Sequence, residues 1–117
     1  MTSETEIKNR LLQCWSLQSS TLWTSANPSR GQCGVTALVI HDNYGGEIYK
    51  TKLRNGAWHY YNQIEGKRFD FTDDQFVESV VYENITSTRE EAFSDTNKKQ
   101  YKYLSSAYKK LTESFHT

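Results

Sequence analysis

Cys33, His59 and Asp70 are the residues whose types and order could do chemistry: a nucleophile, a proton carrier and an anchor for that carrier. Cys33 follows Gly31 and Gln32 and begins a new element after a loop rich in Ser, Thr and Asn. A thiol at a helix N-terminus feels the positive end of the helix dipole and unpaired backbone N–H groups. Both favour thiolate, the nucleophilic form. The same N–H groups can hold an oxyanion, and Gln32, Gln18 and Gln13 are candidate side-chain donors to it. Cys14 has none of this. It falls inside a helical repeat beside apolar residues and reads as packing.

The placement of His59 and Asp70 follows from a hairpin. A two-residue loop at Glu65-Gly66 pairs Ile64 with Lys67, hence Tyr61 with Asp70 and His59 with Thr72. His59 and Asp70 become diagonal neighbours on one face, with Cβ atoms up to roughly 7–8 Å apart. If the bond closes, the carboxylate orients the imidazole and the other ring nitrogen faces the thiol. Asn55-Gly56, taken as a two-residue turn, puts Trp58, Tyr60, Phe69 and Phe71 on one face with Tyr49, Thr51 and Leu53. His59, Tyr61, Asp70 and Thr72 share the other face with Lys50, Lys52 and Arg54. Either those cations rim an open cleft or a bulge shifts the register of the first strand. Trp23, Tyr61 and Asn62 are candidates to line the cleft.

The elements that must position these groups are legible in outline. Residues 3–15 read as a helix, with Ser3 and Glu6 at capping-box spacing and Ile7 and Leu11 at helical intervals. Residues 16–30 read as loop. Residues 31–42 fit a short buried helix or a strand. Runs 48–53, 58–64 and 68–72 form an antiparallel meander. Thr72 to Gln75 begins a short helix containing Phe76 and Val77. Residues 84–97 read as polar loop with a helical turn. Over 97–115, Tyr101, Leu104, Tyr108, Leu111 and Phe115 make an apolar stripe, and Lys98, Lys99, Lys102, Lys109 and Lys110 a solvated face. The expected class is α+β: a small antiparallel sheet of at least three strands, packed with a Cys-bearing helix and a C-terminal amphipathic helix.

Composition narrows the function classes. The chain has 117 residues, the length of one ordinary domain, and no linker divides it. Lys plus Arg and Asp plus Glu are 14 each, so formal net charge is zero. That neutrality argues against a phosphate-backbone binder and against a polybasic membrane anchor. Aromatics at 14% argue against disorder. No apolar run is long enough to cross a bilayer. The polar N-terminus is no secretory signal, so the cytoplasm is the expected compartment, with both thiols reduced. His41 and Asp42 lack zinc-like partners at the right spacing and read as surface residues, and His116 as a terminal one.

Several strings resemble the YunG-like family of small bacterial proteins. They are Asn27-Pro28-Ser29-Arg30-Gly31-Gln32-Cys33-Gly34-Val35-Thr36-Ala37, Gly45-Gly46-Glu47-Ile48, His59-Tyr60-Tyr61-Asn62 and Asp70-Phe71-Thr72 with Gln75-Phe76, within about residues 15–76. The Cys, His, Asp order also resembles the core of transglutaminase-like, papain-fold enzymes. That wider resemblance implies acyl chemistry at amides or thioesters: cleavage, deamidation or acyl transfer on a peptide, protein or small amide, with no metal or cofactor. The superfamily includes members that have lost activity. The alternative is therefore a non-catalytic module on the same fold that binds a peptide or acidic ligand through its aromatics and basic rim.

Overall fold

The computed structural model describes residues 2–113. Helix α1 (Glu4–Cys14) starts where Ser3 Oγ accepts the Glu6 amide at 3.2 Å, and it buries Ile7, Leu11 and Cys14. The ambiguous 31–42 stretch is helix α2 (Cys33–Tyr44). Residues 33–40 are buried on every side of it. An element enclosed all round has no polar face, and so no periodicity to read.

The strands are β1 (Glu47–Lys52), β2 (Trp58–Ile64), β3 (Lys67–Phe69) and β4 (Ile85–Ser87), in the order β3-β2-β1-β4. Every pairing is antiparallel. The α+β class and the small antiparallel sheet stand, with one strand more than the meander. β4 lies in a stretch read as loop. Its three residues, Ile85-Thr86-Ser87, are too few to show alternation, and only pairing with β1 defines them. A one-turn 3₁₀ helix (Asp73–Gln75) stops at Phe76 rather than running through it, and Val77 is fully exposed. Helix α3 (Arg89–Phe93) supplies the expected helical turn. Helix α4 (Lys98–Glu113) buries Leu104 and Tyr108, packs Tyr101 and Leu111 against the core, and exposes the five lysines. Phe115 and His116 lie outside the described residues.

The β2–β3 register is the expected one, with Ile64 opposite Lys67. The β1–β2 register is not: Lys52 pairs with Trp58 and Thr51 with His59. The Leu53 amide donates to Ala57 O at 2.8 Å, so the loop has three residues, Arg54 to Gly56. Gly56 takes φ +86°, the left-handed residue that closes a three-residue hairpin. One extra loop residue flips the parity of β1. Tyr49 and Thr51 now share the His59 face. Lys50 and Lys52 move to the Trp58 face, where the Lys50 ammonium lies 4.3 Å from the Trp58 ring centre and bonds Glu91 at 2.7 Å. Lys50 and Lys52 therefore do not rim a cleft at His59, and Arg54, in the loop, pairs with Glu78 at 3.5 Å.

Helix α2 packs on the face bearing Ile48, Tyr60 and Asn62, with Asn62 Nδ2 donating to Ala37 O at 3.0 Å. α1 and α4 enclose the far side of α2 through Ile7, Leu11, Val35, Val39, Leu104 and Tyr108. The opposite sheet face is covered by residues 76–84. Thr51 Oγ1 donates to Val81 O at 2.9 Å and Tyr61 OH to Asn84 Oδ1 at 2.9 Å.

Candidate functional site

Two segments far apart in sequence make the framework. The loop before Cys33 is tied to the turn after Asp70 by three hydrogen bonds. Asn27 Nδ2 donates to Gln75 O at 3.2 Å, Ser29 Oγ to Asp74 Oδ1 at 2.6 Å, and the Gly31 amide to Gln75 Oε1 at 3.2 Å. The Asn-Pro-Ser-Arg-Gly-Gln-Cys string and the Asp-Phe-Thr-Asp-Asp-Gln string are thus two halves of one joint.

His59 is completely buried, and its Nε2 lies 2.6 Å from Asp70 Oδ2. Asp70 also accepts from Tyr82 OH at 2.8 Å on Oδ2, and from the Thr72 amide at 3.2 Å on Oδ1. A carboxylate with that many donors is held in one orientation. Phe76 meets the imidazole edge-on at 5.1 Å, and the Tyr61 ring stacks beside it at 6.1 Å. Burial and the Asp70 carboxylate push the Tyr82 phenol up, so Tyr82 acts as a donor. His59 Nδ1 is buried without a hydrogen-bond partner.

Cys33 opens α2, and its thiol donates to Asp95 Oδ2 at 3.4 Å. The same oxygen accepts the Gly34 amide at 3.0 Å, so Asp95, from the α3–α4 link, caps the first turn of α2. A Cβ on Gly34 would stand 2.6 Å from that oxygen and 2.8 Å from Ala92 O; only glycine admits this approach. Burial first, then the charge of Asp95, push the Cys33 thiol well above its ordinary range. This corrects the thiolate expectation: desolvation and a facing carboxylate outweigh the helix dipole. Burial likewise pushes the Asp95 carboxyl up, against its bonds to Cys33 and Gly34.

The structure brings His59 to Asp70 and leaves Cys33 bonded to Asp95; among the described residues no hydrogen bond joins Cys33 to His59. Tyr60, the residue after His59, packs in the cluster that holds Cys33, and its backbone hydrogen bond favours the sulfur's anionic form. Gln32 is fully buried beside Cys33 in sequence, with both amide atoms unpartnered. Gln13 bonds Asn9 O within α1, and Gln18 is exposed on a groove of about 600 Å³ with Leu17, Thr21, Asn97 and Tyr103; neither hydrogen-bonds to Cys33. Asn62 is a sheet-to-helix tie rather than a cleft residue. Tyr61 is buried under the 82–84 segment, and Trp23 packs on the core with its Nε1 unpartnered. Asp95 and Tyr82 escaped the sequence reading. Both sit in stretches without periodicity, and nothing in their neighbours marks them.

Among the described residues no group of three or more His, Cys, Asp or Glu side chains could hold a metal ion, and no helix is long and apolar enough to cross a membrane. A family model described as YunG protein matches residues 3–113. The Uncharacterized protein YunG of Bacillus subtilis (strain 168) is 52% identical over 102 residues, covering 87% of this chain and 88% of that protein. No solved structure matches. On the family match and that relative together, the chain belongs to the YunG family.

Proposed function

We propose that the protein carries out cysteine-dependent acyl chemistry at an amide or thioester, on a core of the transglutaminase-like, papain-like kind. The observation that carries this reading is the buried His59–Asp70 pair at 2.6 Å, with the other imidazole nitrogen left unpartnered. Such a pair fixes the ring and steadies its charged form, as a general base requires. The packing supports it too: Cys33 lies in one cluster with Tyr60, the residue after His59.

In this mechanism the resting thiol is protonated. Sγ attacks the carbonyl carbon as its proton passes to His59 Nδ1, and the carbonyl π electrons move to oxygen. The Cys33 amide and Gln32 Nε2 hold that oxyanion. Collapse breaks the C–N or C–S bond and His59 returns its proton to the leaving group. A thioester on Cys33 remains for water or an acyl acceptor. Asp70 acts as a positioning residue through His59.

The test is intact-mass detection of an acyl-enzyme after incubation with activated amide and thioester probes. An adduct on Cys33 that is lost in Cys33→Ala and slowed about 10²-fold or more in His59→Ala supports the reading. Adducts indifferent to His59, or none, overturn it. A second reading, a non-catalytic peptide-binding module, is favoured by one observation: the thiol bonds Asp95 and not His59. The absence of any Cys33 adduct, with retained peptide binding, selects it.

A further inference from the structure

The carboxylate over the thiol has a consequence for what the site accepts. Asp95 is an exposed residue whose Oδ2 reaches in to both the Cys33 sulfur and the Gly34 amide. A molecule approaching Sγ from solvent therefore meets a negative charge. Among the described residues no Lys or Arg forms an ion pair with Asp95, and three cations of the fold are engaged elsewhere: Lys50 bonds Glu91 and lies over Trp58, Lys8 bonds Asp74, and Arg89 bonds Asp42. The other carboxylate of the site, Asp70, is occupied by His59 and Tyr82. Gln32, the residue before Cys33, offers a buried amide with donor and acceptor both unpartnered, a group suited to a neutral amide and not to a charge.

We propose that Asp95 is a specificity-determining residue: it selects substrates that carry a protonated amine close to the reacting carbonyl and rejects carboxylates there. This rests on the catalytic reading of Cys33. The ammonium takes over the Oδ2 that the thiol and the Gly34 amide hold at rest. The thiol is then free to turn toward the substrate carbonyl, so binding of the correct ligand uncovers the site. Pairing Asp95 with a cation also removes one of the charges that keep the thiol protonated. The class so defined is amides or thioesters of amino acids with a free amine, including the N-terminal residue of a peptide. An acidic ligand is excluded.

The test needs no substrate. Iodoacetate, iodoacetamide and 2-bromoethylamine deliver an anionic, a neutral and a cationic alkyl group to a thiol, each by displacement of halide. Their rates at Cys33, mapped by peptide mass to separate Cys33 from Cys14, are divided by their rates with a free small thiol at the same pH. The cationic-to-anionic ratio is expected to exceed the small-thiol ratio at least about tenfold in the native protein, as for a unit charge within about 5 Å at a partly screened site. Asp95→Asn brings it to within about twofold of the small thiol, and Asp95→Glu keeps it high. A native ratio equal to that of the small thiol, or one unchanged in Asp95→Asn, overturns charge selection. The native ratio decides this even if the variants fold poorly. Labelling without charge preference, alongside a Cys33 acyl-enzyme, leaves the catalytic reading standing and removes only this inference. Silence of Cys33 toward all three reagents overturns both.

Discussion

His59 and Asp70 meet at 2.6 Å because the ladder between their strands stops one residue short of Asp70. Pairing between β2 and β3 ends at Asn62 and Phe69. Held in the ladder, the two side chains would be diagonal neighbours, too far apart for a short carboxylate to bridge alone. Released from it, Asp70 turns toward the imidazole, and Thr72 and Tyr82 hold it there.

That arrangement makes Asp70 structural as well as chemical. Asp70→Ala leaves a buried imidazole and a half-buried phenol without their acceptor. A loss of about 2–4 kcal/mol in urea unfolding is expected. Tyr82→Phe, which removes one donor and keeps the ring, should cost about 1 kcal/mol. Equal losses in the two variants would mean that the His59 bond adds nothing.

The Cys33 thiol should resist ionisation. Its labelling by iodoacetamide is expected to keep rising beyond pH 9, with no plateau near the free-thiol pKa of about 8.5. Asp95→Asn removes a facing charge, lowers the thiol pKa, and speeds labelling at fixed pH. A wild-type plateau below pH 8 would contradict the geometry around Asp95.

Alkaline stability follows from the same shifts. Cys14, pushed up to about 11 by burial, and Cys33, pushed up by burial and by Asp95, both have folded-state pKa values above the unfolded one. Such groups stabilise the fold fully below the unfolded thiol pKa, and that contribution is lost as pH rises through the folded value. Unfolding midpoints in urea should hold up to about pH 8.5 and then fall toward pH 11. Cys14→Ala should flatten part of that slope. A midpoint that rises over this range would refute the assignment.

Gly34→Ala tests the approach of α3 to α2. Its Cβ would lie 2.8 Å from Ala92 O, a backbone atom that cannot move without the helix. A loss of about 1–3 kcal/mol is expected from this overpacking. Cys33 should become more reactive to iodoacetamide as Asp95 is displaced. Gly45→Ala is the control for space alone, since nothing stands within 4 Å of a Cβ there, although its φ of +75° with ψ −149° adds strain of about 1–3 kcal/mol. Cys33 reactivity should be unmoved in it.

Local patterns carried α1, β2, the β2–β3 hairpin and α4, because each shows its periodicity or its cap within a few residues: Ser3 with Glu6, Glu65-Gly66 with φ +51° and +78°, Leu104 with Tyr108. The same patterns put His59 and Asp70 on one face, since parity along a strand and across a two-residue hairpin is a local property. Family membership too was legible in strings such as Asn27 to Ala37. What only the tertiary structure decided depends on contacts between distant residues. The three-residue Arg54–Gly56 loop moved Lys50 and Lys52 off the His59 face, a difference of one loop residue that Asn-Gly does not disclose. The helical state of Cys33–Tyr44 came from enclosure by α1, α4 and the sheet. The partner of Cys33 came from Asp95, sixty-odd residues away in a stretch without pattern, and burial first, then that carboxylate, keeps the thiol protonated. Charge and burial at a single atom are sums over every neighbour the fold delivers, and a sequence names those neighbours without saying which of them arrive.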